Sequence, residues 1–149
     1  RYRKLMVLGK PGAGKTTFLK YLAMNFSTGE LEDKIIPIFI RLRDIYDEPF
    51  DSLTNVVIKE FTNRIPNSEF KVRELLLQGK CFILLDGLDE VKADKNNENI
   101  YNIYREIDNL VNTFPDNRFI ITCRTTASDY VFHDFTEVEI ADFERAEIE

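Results

Sequence analysis

The stretch Gly9-Lys10-Pro11-Gly12-Ala13-Gly14-Lys15-Thr16 decides how this chain is read. It follows an apolar run, Leu5 to Leu8, and precedes an amphipathic stretch carrying Phe18, Leu19, Leu22, Ala23 and Phe26. It therefore joins a strand to a helix, the setting in which G-x-x-x-x-G-K-[ST] has a physical meaning. Glycines let the backbone curl with its N–H groups turned inward, and the helix adds the positive end of its dipole at the same point. On this pattern Lys15 reaches the β- and γ-phosphates of a nucleotide, and the Thr16 hydroxyl ligates Mg²⁺. A glycine turn of no chemical consequence is the bland alternative. At average residue frequencies the full pattern arises by chance in roughly one chain of this length in a few hundred, and its setting makes chance rarer still.

Three further apolar runs follow: Ile35 to Ile40, Phe82 to Leu85, and Phe119 to Ile121 with Thr122 and Cys123 attached. Their apolarity is continuous rather than alternating, as strands buried on both faces require. Between them lie helical patterns. The clearest is Ile100, Ile103, Ile107, Leu110, Val111 and Phe114; Leu53, Val56, Val57 and Phe61 form another. A shorter helix carries Val72, Leu75 and Leu76, with Ser68 as its expected cap. The order β-α-β-α-α-β-α-β predicts an α/β fold with a doubly wound parallel sheet. A last, alternating segment from Thr136 to Ile140 reads as an edge strand, with Glu137 and Glu139 outward and Val138 and Ile140 inward. Pro37 lacks a ladder donor and so places the second strand at the opposite edge. The charged segment Lys92 to Glu98 reads as a solvated connection rather than a binding patch.

At 149 residues and 44% hydrophobic composition, the chain suits one domain with a sizeable core. A net charge of −6 argues against general nucleic-acid binding, which needs clustered Lys and Arg. No apolar stretch is long enough to span a bilayer and no signal segment opens the chain, so a cytoplasmic setting is expected. Cys81 and Cys123, the only cysteines, read as reduced, packed thiols, because neither they nor the lone His133 keep metal-ligand spacing. The chain opens at Arg1 without a methionine and ends at Glu149 within a helical pattern, which leads us to expect a piece of a larger protein.

The chemistry-bearing residues lie where strands end. Cys81-Phe82-Ile83-Leu84-Leu85-Asp86 delivers a carboxylate to the C-terminal edge of the sheet, where ligands of open α/β folds bind, and Asp86 is the expected Mg²⁺ holder, directly or through water. Alone, such an Asp merely marks where a strand meets solvent; beside the glycine loop it gains a role. Asp89 and Glu90 follow, so that three carboxylates fall within five residues; such crowding is costly without a cation or an Arg to neutralise it, and a metal with its hydration shell is the natural explanation. Either Asp89 or Glu90 can orient or deprotonate an attacking water, or can simply cap a turn. Arg124, ending its strand, points between Lys15 and Asp86 if strand four lies between strands one and three; there it reports the γ-phosphate, with Thr122 a weaker candidate. Arg41 and Arg43 are expected to pair with Asp44 or solvent and carry no catalytic role.

With these residues in place, the chain resembles the NACHT family of STAND NTPases over nearly its whole length. Gly9 to Thr17 is similar to that family's Walker A motif. This makes Gly9, Lys10, Pro11, Gly12, Ala13, Gly14, Lys15, Thr16 and Thr17 the candidate nucleotide-binding residues. Leu84-Leu85-Asp86-Gly87-Leu88-Asp89-Glu90 resembles its Walker B motif, with a small residue after the magnesium Asp and an acidic pair beyond. Ile121 to Arg124 resembles its sensor strand, and Val138 to Phe143 its fifth strand leading into a helical domain that would begin within 141–149. The resemblance implies strand order 5-1-4-3-2. It also implies a nucleotide switch of signalling or defence that controls self-association of the full-length protein. No Asn-Lys-x-Asp of the Ras-type GTPases occurs, so ATP is favoured over GTP, though the family permits either.

Slow, Mg²⁺-dependent hydrolysis with Asp89, Glu90 and Arg124 as catalytic residues is the leading expectation. A non-catalytic nucleotide-binding oligomerisation module is the alternative. A small-molecule kinase fits less well, because the acidic segment after Asp86 makes a poor phosphate lid.

Overall fold

In a computed structural model, which describes residues 3–10, 12, 14–27, 35–124 and 130–140, the predicted alternation of strands and helices is realised. Strand β1 spans Lys4–Leu8, helix α1 Lys15–Ser27, β2 Ile36–Arg41, α2 Leu53–Arg64, α3 Glu69–Leu77, β3 Cys81–Asp86, α4 Glu98–Thr113, β4 Arg118–Cys123 and β5 Thr136–Glu139. The strands form one parallel sheet in the order β2-β3-β4-β1-β5, the expected 5-1-4-3-2 read from its other end. Two 3₁₀ turns, Leu42–Asp47 and Leu88–Glu90, carry no sequence pattern that announced them; buried Leu42, Ile45 and Leu88 anchor them.

The inner strands are largely apolar because each faces two cores. Ile83 and Leu85 of β3 join Phe119 and Ile121 of β4 beneath α2, α3 and α4. Phe82 and Leu84 turn the other way and meet Val7, Leu19 and Ile120 beneath α1. The handedness of the crossovers requires this division. The chain runs one way along the sheet from β1 to β2 and back again from β2 to β4, so right-handed connections place α1 opposite the other helices.

Pro37 lies on edge strand β2. The Ile36 N–H donates to the Lys80 carbonyl at 2.9 Å, so by alternation Ile36, Ile38 and Ile40 turn their backbone groups toward β3 and Pro37 turns away from it. Its missing donor therefore costs no ladder bond.

Three expectations of detail need correction. Thr136 to Glu139 are all exposed, and Val138 keeps 39% of its surface; only Ile140 packs inward, against the α1-side core. The alternation is present but α1 packs over β2 and β3, leaving Val138 uncovered by any extensive contact with a described helix. Phe18, expected on the buried face of α1, is 37% exposed, while Leu19 fills that face. Ser68 does precede α3, yet its hydroxyl donates to the Ile65 carbonyl and accepts no helix N–H. Its backbone, at φ −112° and ψ 15°, lacks the extended shape of a capping residue. Ser52 has that shape, and it caps α2 by accepting from Asn55 N at 3.1 Å.

The segment Lys92 to Glu98 is exposed, as expected, and is tied down at both ends. Lys92 Nζ meets Asp47 at 2.5 Å, and Asp94 accepts from the Glu98 N–H at 2.6 Å at the start of α4. Among the described residues no helix is long and apolar enough to cross a membrane. The expected start of a helical subdomain within 141–149 lies outside the described residues.

One buried polar side chain holds three elements together. Asn117, fully buried, accepts from Cys81 N at 3.0 Å, where β3 begins, and donates to Leu76 O at 2.8 Å and Phe114 O at 3.1 Å, at the ends of α3 and α4. Replacing Asn117 with Ala strands these groups away from water, at about 1–3 kcal/mol for each one left unpaired. Denaturant unfolding of Asn117→Ala is expected to show a loss in that range or above.

Both cysteines are buried and unpaired, and burial pushes the Cys81 thiol up to about 12 and Cys123 up to about 11. Folding thus favours the protonated thiols. The stability they contribute is complete below the unfolded value near pH 8.5–9 and is lost as the pH climbs toward 11 and 12. At pH 8 a thiol reagent is expected to label them only on unfolding; fast labelling of the folded protein would contradict this.

Candidate functional site

Because every strand is parallel, Leu8, Arg41, Asp86, Cys123 and Glu139 all end on one edge of the sheet. With β4 between β1 and β3, the glycine loop after β1 and the acidic turn after β3 flank the end of β4. An open cleft of about 750 Å³ lies there. It is lined by Gly12, Gly14, Lys15, Thr16 and Thr17 from the loop and helix, by Asp86 at the end of β3, by Asp89 and Glu90 of the turn that follows, and by Arg124 just beyond β4.

The loop is anchored where it leaves the sheet, by Gly9 N donating to Cys123 O at 3.1 Å. Gly12 takes φ +83°, and a Cβ there would meet nothing within 4 Å, so backbone conformation rather than space calls for glycine. Helix α1 begins directly after Gly14, whose carbonyl accepts from Phe18 N at 2.9 Å. The Lys15 ammonium donates to the Gly9 carbonyl and, at 3.1 Å, to the Lys10 carbonyl. Gly9 and Lys10 thus meet Lys15 through their backbone carbonyls, while Pro11 and Ala13 lie outside the described residues.

Across the cleft, Asp86 is 6% exposed and both of its oxygens are engaged. The Thr16 hydroxyl donates to Oδ2 at 2.9 Å, and the Thr122 hydroxyl donates to Oδ1 at 2.8 Å while accepting from Gly87 N at 2.8 Å. Thr122 therefore serves as the buried support of Asp86, a role its isolated hydroxyl in an apolar strand leaves open in sequence. Gly87, at φ +81°, then turns the chain into the 3₁₀ turn that carries the acidic pair. A Cβ at this position would stand 2.6 Å from Glu90 Oε2.

The three carboxylates part company at this turn. Asp89 folds back against β4, where its side chain is 7% exposed and accepts from Arg124 N at 3.2 Å and Arg124 Nε at 2.6 Å. Glu90 is exposed, and while its main-chain N–H donates to Gly87 O at 3.0 Å, its carboxylate takes no hydrogen bond or ion pair among the described residues. Crowding of the acids is thus relieved by Arg124 and by the geometry of the turn, and no group of three or more His, Cys, Asp or Glu able to hold a metal occurs among the described residues.

A magnesium ion still fits the remaining donors. It takes oxygen ligands and keeps several waters, needing only one or two contacts from protein. Thr16 and Asp86 supply hard oxygens 2.9 Å apart at the mouth of the cleft. Arg41 and Arg43 stay outside the site, with Arg43 3.7 Å from Asp44 as expected.

Thr122→Val tests the support. It removes one donor to Asp86 and the acceptor for the buried Gly87 N–H, so unfolding measurements are expected to show a loss of about 1–3 kcal/mol. Unchanged stability would mean that the hydroxyl supports nothing.

A search of curated proteins returns no match. Among solved structures the chain is similar to PCH-2 from C. elegans, with 17% sequence identity and a TM-score of 0.44. That likeness covers 93% of this chain and 35% of the other, so the chain spans about a third of the length of the protein it matches. A family model described as the NACHT domain matches residues 3–149, and the chain belongs to that family of P-loop NTPases, in which nucleotide binding and hydrolysis are implied.

Proposed function

We propose that this domain binds a nucleoside triphosphate with Mg²⁺, ATP in preference to GTP, and hydrolyses it slowly as the switch of a larger, self-associating signalling or defence protein. The observation that carries the reading is the 2.9 Å contact between Thr16 and Asp86, which joins the helix after the glycine loop to the β3 carboxylate within one cleft. Two separate motifs thereby meet at a single point.

On this reading the loop N–H groups and Lys15 hold the phosphates, with Lys15 exchanging the Gly9 and Lys10 carbonyls for β- and γ-oxygens. Thr16 and Asp86 hold the magnesium, which when bound offsets charge on the phosphate oxygens. Glu90, whose carboxylate is exposed and unengaged among the described residues, orients water and accepts its proton. The water oxygen bonds to the γ-phosphorus as the bond from phosphorus to the β–γ bridging oxygen breaks, leaving nucleoside diphosphate and phosphate. Arg124 faces the charge that develops on the transferred group.

A non-catalytic module has one observation in its favour: Asp89 is held by Arg124, so a single acid remains to act on water. Kinetics separate the two. In the full-length protein, Lys15→Ala is expected to abolish nucleotide binding. Glu90→Gln should retain binding while phosphate release falls by about 10²–10⁴, the usual worth of a positioned general base. Retained release in an Asp89→Asn plus Glu90→Gln double variant would sink the assignment of these acids to the water, and absence of release from the unsubstituted protein would sink the hydrolytic reading. ATP and GTP titrations followed by size analysis test the switch, which fails if neither nucleotide binds or alters assembly.

A further inference from the structure

Asp89 and Glu90 are neighbours in sequence, yet they have opposite surroundings. The Asp89 side chain is 7% exposed, with one oxygen taken by the Arg124 main-chain N–H and the other by Arg124 Nε at 2.6 Å. With both oxygens already taken by donors, this carboxylate is poorly placed to engage a water, because the lone pairs that would face it are committed. Burial of Leu88 and the left-handed backbone of Gly87 keep Asp89 turned toward β4.

The partner in this pair has capacity left over. An arginine carries five N–H donors, and the contact with Asp89 uses only Nε–H, so the four on the two Nη atoms remain for a ligand. The Arg124 side chain is 47% exposed and lines the same cleft as Lys15 and Thr16. A free arginine gives up rotamer freedom when it grips a phosphate; one already held at Nε has given up much of it beforehand.

We infer that Asp89 is a positioning residue, which holds the Arg124 guanidinium ready for the terminal phosphate of a bound triphosphate and takes no proton itself. The inference rests on the nucleotide reading above and divides the acidic pair between two tasks: Asp89 orients the arginine and Glu90 serves the water.

Two readouts on the full-length protein test this: the affinity ratio between a non-hydrolysable triphosphate and the diphosphate, and phosphate release. Asp89→Ala and Arg124→Ala should each lower the triphosphate preference about tenfold or more, the worth of a charged hydrogen bond. Combining them should cost no more than either alone, since both remove one interaction. Asp89→Asn keeps an acceptor oxygen of roughly half the strength. It should therefore retain preference and phosphate release within about threefold, whereas loss of a base would abolish release.

Asp89→Asn that binds with unchanged preference yet releases no phosphate overturns the inference, and so does unchanged preference in Asp89→Ala. Melting curves establish whether the variants fold; if Asp89→Ala does not, Asp89→Asn and Arg124→Ala decide the matter. Absence of nucleotide binding by the unsubstituted protein overturns the nucleotide reading as well. Normal binding and release with discordant variants overturns this inference alone.

Discussion

A buried carboxylate with a threonine hydroxyl on each oxygen is the constraint around which the site is built. Asp86 ends the most enclosed strand of the sheet, and all six residues of β3 are buried. An ionised group at such a depth costs several kcal/mol unless it is paired or hydrogen bonded. Thr122 supplies one bond from β4 and Thr16 the other from α1, so the carboxylate registers two neighbouring elements against β3. The side chains on both sides must stay in place for Asp86 to remain satisfied. The strand order is what permits this, since β4 lies between the strand that leads into the glycine loop and the strand that ends in Asp86.

Much of this arrangement was legible in sequence because the features involved are local or periodic. Continuous apolar runs identified the inner strands, since residues such as Leu84 and Leu85 face opposite cores and both must be apolar. Pro37 marked an edge through its missing donor, and the structure turns that proline away from the ladder. The glycine loop joined a strand to a helix, and the parallel sheet then carried Asp86, Asp89, Glu90 and Arg124 to the same edge. What links those residues is topology, and the topology follows from the alternation of element types.

The illegible features depend on partners remote in sequence. Asn117 reads as a loop residue after Pro115, yet it satisfies backbone groups of three elements as far away as Leu76. Val138 has the alternation of an inward-facing residue, but whether it is covered depends on where α1 lies. Ser68 occupies the right position for a cap with the wrong backbone angles. Thr122 looks like a small interruption of an apolar strand until Asp86 is placed beside it. In each case composition and spacing are correct locally, and the deciding contact is made by another part of the chain.

The acidic pair shows why residue type alone assigns chemistry poorly. In sequence, Asp89 and Glu90 are interchangeable candidates for acting on water, since both are carboxylates three or four positions beyond Asp86. The left-handed turn at Gly87 and the buried anchor Leu88 separate them, sending one carboxylate toward β4 and the other toward solvent. An acid facing an arginine commits its oxygens and lends that arginine a fixed direction; an acid in the open retains its lone pairs. The same turn therefore also determines how the arginine is presented. Its strand delivers Arg124 to the cleft, but the neighbouring carboxylate orients it, so the acid and the cation act as one unit facing the loop that carries Lys15.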